Sequence, residues 1–193
     1  MTLRTDIIQH LIDTNNFKSY LEIGVEHGTN FQTIQCDNKV GVDPDPESKA
    51  TIHETSDDFF RTNTQTWDLI FIDGLHHKDQ VLKDMKNALK SLSSNGFIVV
   101  HDVSPEDEAM QIVPRMQGIW TGDVWKAWLT LRKTRKTISM YCVDTDYGCG
   151  IIRKGRQELV NTGGLRATYK NLTENRKEWL NLIPVAKFYE LFS

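Results

Sequence analysis

No run of apolar residues in this sequence approaches the roughly 20 that cross a bilayer as a helix, so no membrane span is expected. The opening MTLRTDIIQHLIDTNN carries acids and amides where a secretory signal would have its apolar centre. Cysteine is scarce: Cys36, Cys142 and Cys149 are three, an odd number, and none stands in a C-x-x-C. Neither a disulfide scaffold nor a zinc knuckle follows, and the thiols read as reduced, in a cytoplasmic protein. Positive charge is not in excess either: 23 basic against 26 acidic side chains leave a net charge of −3. A global field for nucleic acid or an anionic membrane is therefore absent. The sequence has no internal repeat, no low-complexity stretch and no linker rich in Pro, Gly or Ser, so residues 1–193 read as one domain, with a core over about 15–155 and a helical tail over 156–193. G-x-S-x-G, H-E-x-x-H and the P-loop are all missing, which removes the common hydrolase, zinc-protease and triphosphatase templates. Asn171-Leu172-Thr173 matches a glycosylation sequon, read as a chance match without an export signal.

What is present is an alternation of short apolar runs with helical periodicity. Leu3, Ile7, Ile8, Leu11 and Ile12 predict a helix over 2–14, and residues 29–35 predict a second. Strands are predicted at 19–23, 39–43, 50–54, 67–73 and, after an Asn95-Gly96 turn, at 97–100. Val81, Leu82, Met85, Ala88, Leu89 and Leu92 give one apolar face to a helix over 78–92. Further on, helices are expected over 105–117, 122–135 and 172–182, and a hairpin over 137–143 and 148–153 at a sheet edge. Strands that alternate with helices predict an α/β fold: a seven-stranded, mostly parallel Rossmann-like sheet with helices on both faces.

In such a sheet, ligands bind beyond the carboxyl ends of the strands. The loop after the first strand reads Glu22-Ile23-Gly24-Val25-Glu26-His27-Gly28-Thr29-Asn30. Gly24 permits a tight turn and close approach to bare backbone, and Gly28 opens a helix whose amides favour a carboxylate. The middle glycine of the dinucleotide fingerprint is replaced by Glu26, an anion that repels a pyrophosphate. A ligand with an amino-acid end and no phosphates fits better. Asp43, closing the second strand about 20 residues on, is placed to accept hydrogen bonds from ribose hydroxyls.

These segments, with Phe71-Ile72-Asp73-Gly74-Leu75-His76-His77 and Gly96-Phe97-Ile98-Val99-Val100-His101-Asp102, resemble class I S-adenosylmethionine-dependent methyltransferases. More narrowly, the chain resembles the branch with I-D-G-x-H on the fourth strand, which includes sugar and small-molecule O-methyltransferases and cephalosporin-hydroxylase-like relatives. The likeness covers roughly residues 15–155. It implies Glu22 and Gly24 at the methionine end of the cofactor, with Gly28, Thr29 and Asn30 lining the same turn. It further implies Asp43 on the ribose, Ser56 and Asp57 beside the adenine, and Asp73 near the transferred methyl. Metal-dependent relatives usually carry an acid where this chain has His101.

Asp73 and Asp102, at the ends of neighbouring strands, share one rim with His76 and His101. Methyl transfer to a hydroxyl needs alignment of donor and acceptor, and an acceptor brought close to alkoxide. Two routes stay open. In one, Mg²⁺ or Mn²⁺ on Asp73, Asp102 and His101 orients the acceptor oxygen; in the other, His76 alone is the base, with Asp73 beside it. His10, His27 and His53 read as structural, and His77 as exposed. Trp120, Trp125 and Trp128 lie on the segment expected to cross the mouth of the site, where an indole suits a sugar or flat ring; core packing competes, most strongly for Trp128. The basic residues of 132–136 and 153–156 suggest an anionic acceptor such as a nucleotide sugar, or a solvated helix end; with no RNA-binding signature beside them, nucleic acid is not the expected substrate. The expected acceptor is a hydroxyl on a sugar or other small polar molecule, and the tail is a candidate homo-oligomer contact. Competing readings are an NAD-dependent oxidoreductase, a non-catalytic cofactor-binding module, and an iron hydroxylase using Asp73, His76 and His101.

Overall fold

The structure, a computed structural model, describes residues 2–116 and 118–193. Its strands are β1 (Ser19–Ile23), β2 (Asn38–Val42), β3 (Trp67–Ile72), β4 (Leu92–Val100), β5 (Ile138–Val143), β6 (Cys149–Lys154) and β7 (Leu182–Ile183). Its α-helices are α1 (Arg4–Asn15), α2 (Thr29–Thr33), α3 (Ser56–Thr62), α4 (Lys78–Lys90), α5 (Val124–Thr134), α6 (Tyr169–Leu180) and α7 (Val185–Leu191). The seven strands form one sheet in the order β2-β1-β3-β4-β6-β5-β7. β1 pairs in parallel with β2 and β3, and β3 with β4, while β6 runs antiparallel to both β4 and β5.

The central strands read as unbroken apolar runs because both faces are covered. Leu21, Ile23, Ile70, Ile72, Ile98 and Val100 point to a core shared with Val81, Met85, Trp125, Trp128 and Trp179. Their neighbours Tyr20, Leu69, Phe71, Phe97 and Val99 point the other way, onto Ile7, Ile8, Leu11 and Phe188. Trp125 and Trp128 are fully buried, so core packing wins for both; Trp128 donates its indole N–H to the Leu180 carbonyl at 3.1 Å, and only a glycine at 150 leaves room for its ring.

Three expected elements change. The segment 50–54 is reduced to one parallel bridge between Ile52 and Val42, on the outer side of the edge strand β2. Among the described residues of 105–117 a single 3₁₀ turn forms, Ala109–Gln111; Pro114 interrupts the amide ladder, and Ile112, Val113 and Met116 are exposed instead of sharing a buried face. Position 117 itself lies outside the described residues. Asn95-Gly96 is an irregularity inside β4, where the register slips between the Trp67 and Leu69 pairs, so β4 starts at Leu92 and α4 stops at Lys90. Helices α3 and α7 and strand β7 had no counterpart in the sequence pattern.

The carboxyl ends of β1, β2, β3 and β4 share one rim. Strand order reverses at β1, whose neighbours are β2 on one side and β3 on the other. A crevice is expected at that reversal.

Candidate functional site

A cavity of about 710 Å³ opens on this rim. Gly24, Asp43, Ser56, Asp57, Asp73, His76, His101 and Asp102 all line it, as the sequence suggested, and Arg4, Glu26, Gln80, Asp84, Arg115 and Trp120 join them. Glu22, Gly28, Thr29 and Asn30 do not. Glu22 is buried beneath the turn, accepting from the Tyr20 hydroxyl and, at 2.8 Å, from the Asn30 amide. Burial pushes its carboxyl up to about 7, although those two hydrogen bonds favour the ionised form.

The glycine turn is built by close approach. Gly24 has φ +87°, and a Cβ there would lie 2.3 Å from the Asp73 carbonyl oxygen. Asp43 ties the turn to β2: one carboxylate oxygen accepts from the amides of Val25 and Glu26 at 2.9 Å each, and the other accepts from Asp45 at 2.9 Å. At the far wall, Gln80 donates to Ser56 (3.1 Å), Asp57 (3.2 Å) and the buried Asp84 (3.0 Å). Burial raises the Asp84 carboxyl to about 6 against the hydrogen bonds from Ser56 and Gln80.

The polar cluster forms where β3 and β4 end. His76 places Nε2 at 3.2 Å from Asp73 and Nδ1 at 3.2 Å from Asp102, with the Trp120 carbonyl 3.1 Å from Nδ1. His101 places Nδ1 at 3.3 Å from both Asp73 and Asp102, and Nε2 at 3.4 Å from Asp146 and 3.1 Å from the Arg4 guanidinium. Burial pulls the His76 imidazole down, but the Asp73 hydrogen bond and the charges of Asp102 and Asp73 outweigh it and hold it above the ordinary histidine value. The same contest lifts His101 well above that value, with Asp73 as the largest attraction. Asp73 in turn feels burial raising it, yet the charge of His101 and hydrogen bonds from both imidazoles hold it well below the usual range.

Asp73, His76 and Asp102 bring ligand atoms within 4.8 Å of one another, close enough to surround a cation. His101 stands outside that group, with Nδ1 against Asp73 and Asp102 and Nε2 against Asp146 and Arg4; with Asp146 and Cys149 it forms a second group of ligand atoms within 4.8 Å of one another. A divalent ion, which takes oxygens at roughly 2.0–2.6 Å, would require these imidazole contacts to open.

Sequence reasoning missed Arg4 and Asp146, which meet across 142 residues of chain and so leave no local pattern. Asp84 did leave one, a carboxylate on the face that buries Val81, Met85 and Ala88. His77 is half-buried, its ring 6.0 Å from Trp120, where an exposed loop was expected. Trp120 stacks on His76 with ring centroids 5.3 Å apart. None of the basic residues of 132–136 and 153–156 lines the cavity. Arg132 is buried against Gln157 and the Glu178 carbonyl, Lys154 donates to the Leu92 carbonyl, and Arg153 lies over Phe97 and Phe192.

The His76 loop is clamped from outside by Thr121-Gly122-Asp123. Asp123 accepts from the Lys78 amide at 2.7 Å and donates its own amide to the His76 carbonyl at 3.2 Å. A Cβ on Gly122 (φ +56°) would fall 1.8 Å from that carbonyl oxygen. Gly122→Ala is therefore expected to cost roughly 2–4 kcal/mol in thermal unfolding. Gly163→Ala, at φ +58° but with open space around it, is the control for backbone strain alone. Equal losses in the two variants would remove the clamp from the account.

Residues 21–103 match a protein-family model described as a methyltransferase domain. No curated protein matches the sequence. Among solved structures, the chain is similar to the Podospora anserina methyltransferase PaMTH1 bound to SAH, with 19% identity, coverage of 80% of each chain and a TM-score of 0.60. It is also similar to the Bacillus cereus O-methyltransferase in complex with SAH, with 16% identity, coverage of 77% of this chain and 79% of that one, and a TM-score of 0.58. A third is the Streptomyces achromogenes O-methyltransferase TomG, involved in tomaymycin synthesis and in complex with SAM, with 16% identity, coverage of 77% and 78%, and a TM-score of 0.56. The fold is the Rossmann-like methyltransferase fold that the sequence suggested.

Proposed function

We propose that this chain transfers the methyl group of S-adenosylmethionine to a hydroxyl of a small molecule. The observation that carries this reading is the convergence, in one cavity behind a methyltransferase-type glycine turn, of a nucleoside wall and a base. Asp43, Ser56 and Asp57 form the nucleoside wall, and His76 held by Asp73 and Asp102 is the base. The cofactor fits the donors present: Gly24 leaves backbone bare on the cavity wall, and Glu26 in place of the middle glycine disfavours the pyrophosphate of NAD.

S-adenosylmethionine, when bound, would supply an electrophilic methyl to the acceptor oxygen, its carbon–sulfur bond breaking with the electron pair left on sulfur as a thioether. His76 receives the acceptor's proton. The Trp120 carbonyl and Asp102 hold a proton on Nδ1, which leaves Nε2 as the basic atom, and Asp73 beside Nε2 stabilises the imidazolium as it forms. A divalent ion, were one held by Asp73 and Asp102, would supply Lewis acidity to the acceptor oxygen; the reading favoured here is the His76 route, since His101 and Arg4 already face the carboxylates. The stacked His76–Trp120 pair offers a flat face to a sugar or planar ring. A nucleotide sugar loses support, because the basic segments lie away from the cavity.

Calorimetric titration with S-adenosylhomocysteine tests the reading, with NAD in parallel and Mn²⁺ as a second variable. The expected result is a Kd on the order of micromolar for the nucleoside, independent of Mn²⁺ and weakened at least about tenfold in Asp43→Ala. A folded protein that binds no S-adenosylhomocysteine overturns the cofactor. Binding of Mn²⁺ that disappears in Asp102→Asn would restore the metal route.

A further inference from the structure

The methionine end of S-adenosylmethionine carries a carboxylate, and the two residues of the glycine turn that line the cavity, Gly24 and Glu26, have no amide left for it. The Gly24 amide donates to the Val42 carbonyl at 2.9 Å, and the Gly28 amide to the Val25 carbonyl at 2.8 Å. Those of Val25 and Glu26 are both spent on Asp43. Helix α2, which follows, has five residues, too few turns for a strong terminal field. The cavity wall is otherwise rich in acids: Glu26, Asp43, Asp57, Asp73, Asp84 and Asp102. A carboxylate entering among them requires a fixed cation.

Arg4 supplies one. It enters from the first turn of α1, outside the matched domain, and lines the cavity beside Asp73, whose carbonyl Gly24 packs against. Its Nη1 is held by Asp146 at 2.9 Å and lies 3.1 Å from His101 Nε2. Its backbone amide donates to the same Asp146 oxygen at 3.0 Å, so helix and side chain are pinned together. Nε stands 3.9 Å from Asp73, and no hydrogen bond to the described residues engages Nη2. One nitrogen is anchored and the other edge of the planar fork is left for an incoming carboxylate, the geometry that guanidinium pairs bidentately. The rotamer cost is met before the ligand arrives.

We infer that Arg4 is the anchor for the cofactor's carboxylate, an inference that rests on the cavity being the S-adenosylmethionine site. S-adenosylhomocysteine and 5′-methylthioadenosine share the nucleoside, but the second lacks the amino-acid end, so the pair isolates this contact. Arg4→Met is expected to weaken S-adenosylhomocysteine by about 10- to 100-fold while leaving 5′-methylthioadenosine unchanged. Arg4→Lys, which keeps the charge for Asp146 but not the fork, should fall between, and it carries the test if the methionine variant does not fold. Equal weakening of both nucleosides, or no loss for S-adenosylhomocysteine, overturns the assignment of Arg4. Wild-type protein that binds neither nucleoside overturns instead the cofactor reading, and this assignment with it.

Discussion

His76→Asn is expected to lower methyl transfer by about 10²–10⁴-fold, the usual contribution of a positioned base, while S-adenosylhomocysteine binding stays within about twofold. The asymmetry follows from position. His76 sits at the β3 end of the cavity, stacked on Trp120, away from the wall formed by Asp43, Ser56 and Asp57. The pH profile sharpens the test. His76 works as a base only when neutral, and Asp73 and Asp102 hold its pKa above the ordinary value of 6.5. Turnover with a hydroxylated acceptor should therefore rise through a limb that lies above pH 6.5 and level off beyond it. Removing one of the two charges in Asp102→Asn stabilises the imidazolium less, so the limb moves to lower pH. His76→Asn should abolish the limb itself. A variant at position 76 with wild-type turnover, or one that keeps the limb, would assign the base elsewhere. An unmoved limb in Asp102→Asn would sever Asp102 from the base. An ion-dependent rate that persists in His76→Asn would favour the metal route.

The cluster that makes this test specific was readable from the sequence because Asp73, His101 and Asp102 follow directly on strand ends, with His76 three residues after Asp73. Asp73 ends β3 and His101-Asp102 ends β4, and adjacent parallel strands put both ends on one rim by geometry alone. Asp43 was legible for the same reason at the end of β2. What depended on packing across the chain was not. Arg4 and Asp146 meet only because α1 lies across the sheet face and the β5–β6 turn folds back beside His101. The residues of the glycine turn were legible as a turn but not in their partners. A pattern of E-x-G-x-x-x-G does not reveal that Asp43 would consume two of the amides, or that Asn30 would turn inward to Glu22. The segment after Asp102 misled because its apolar residues recur near helical spacing. In the fold Ile112, Val113 and Met116 are exposed, and Pro114 breaks the ladder that a helix would need.

Glu22 gives the largest expected gain in stability. The residue is 2% exposed, and its carboxyl pKa of about 7 stands above the ordinary 4.5, because burial penalises the anion more than Tyr20 and Asn30 favour it. The sign of the pH dependence follows from that elevation. Below about 4.5 the residue is protonated in both folded and unfolded chains and costs nothing; between 4.5 and 7 the unfolded chain ionises first and stability falls; above 7 the loss is complete. At about 1.4 kcal/mol per unit, the loss above pH 7 is of order 3 kcal/mol. Glu22→Gln removes it. The glutamine carbonyl can still accept from the Tyr20 hydroxyl and the Asn30 amide, which both reach the same carboxylate oxygen. At pH 8.5 the variant should unfold about 6–12 °C above the wild type, with the difference vanishing near pH 4.5. S-adenosylhomocysteine affinity should be unchanged, since Glu22 does not line the cavity. Parallel stability profiles for the two proteins would show that Glu22 is not the titrating group. Loss of nucleoside binding in the glutamine variant would return Glu22 to the methionine end of the site, where the family resemblance first put it.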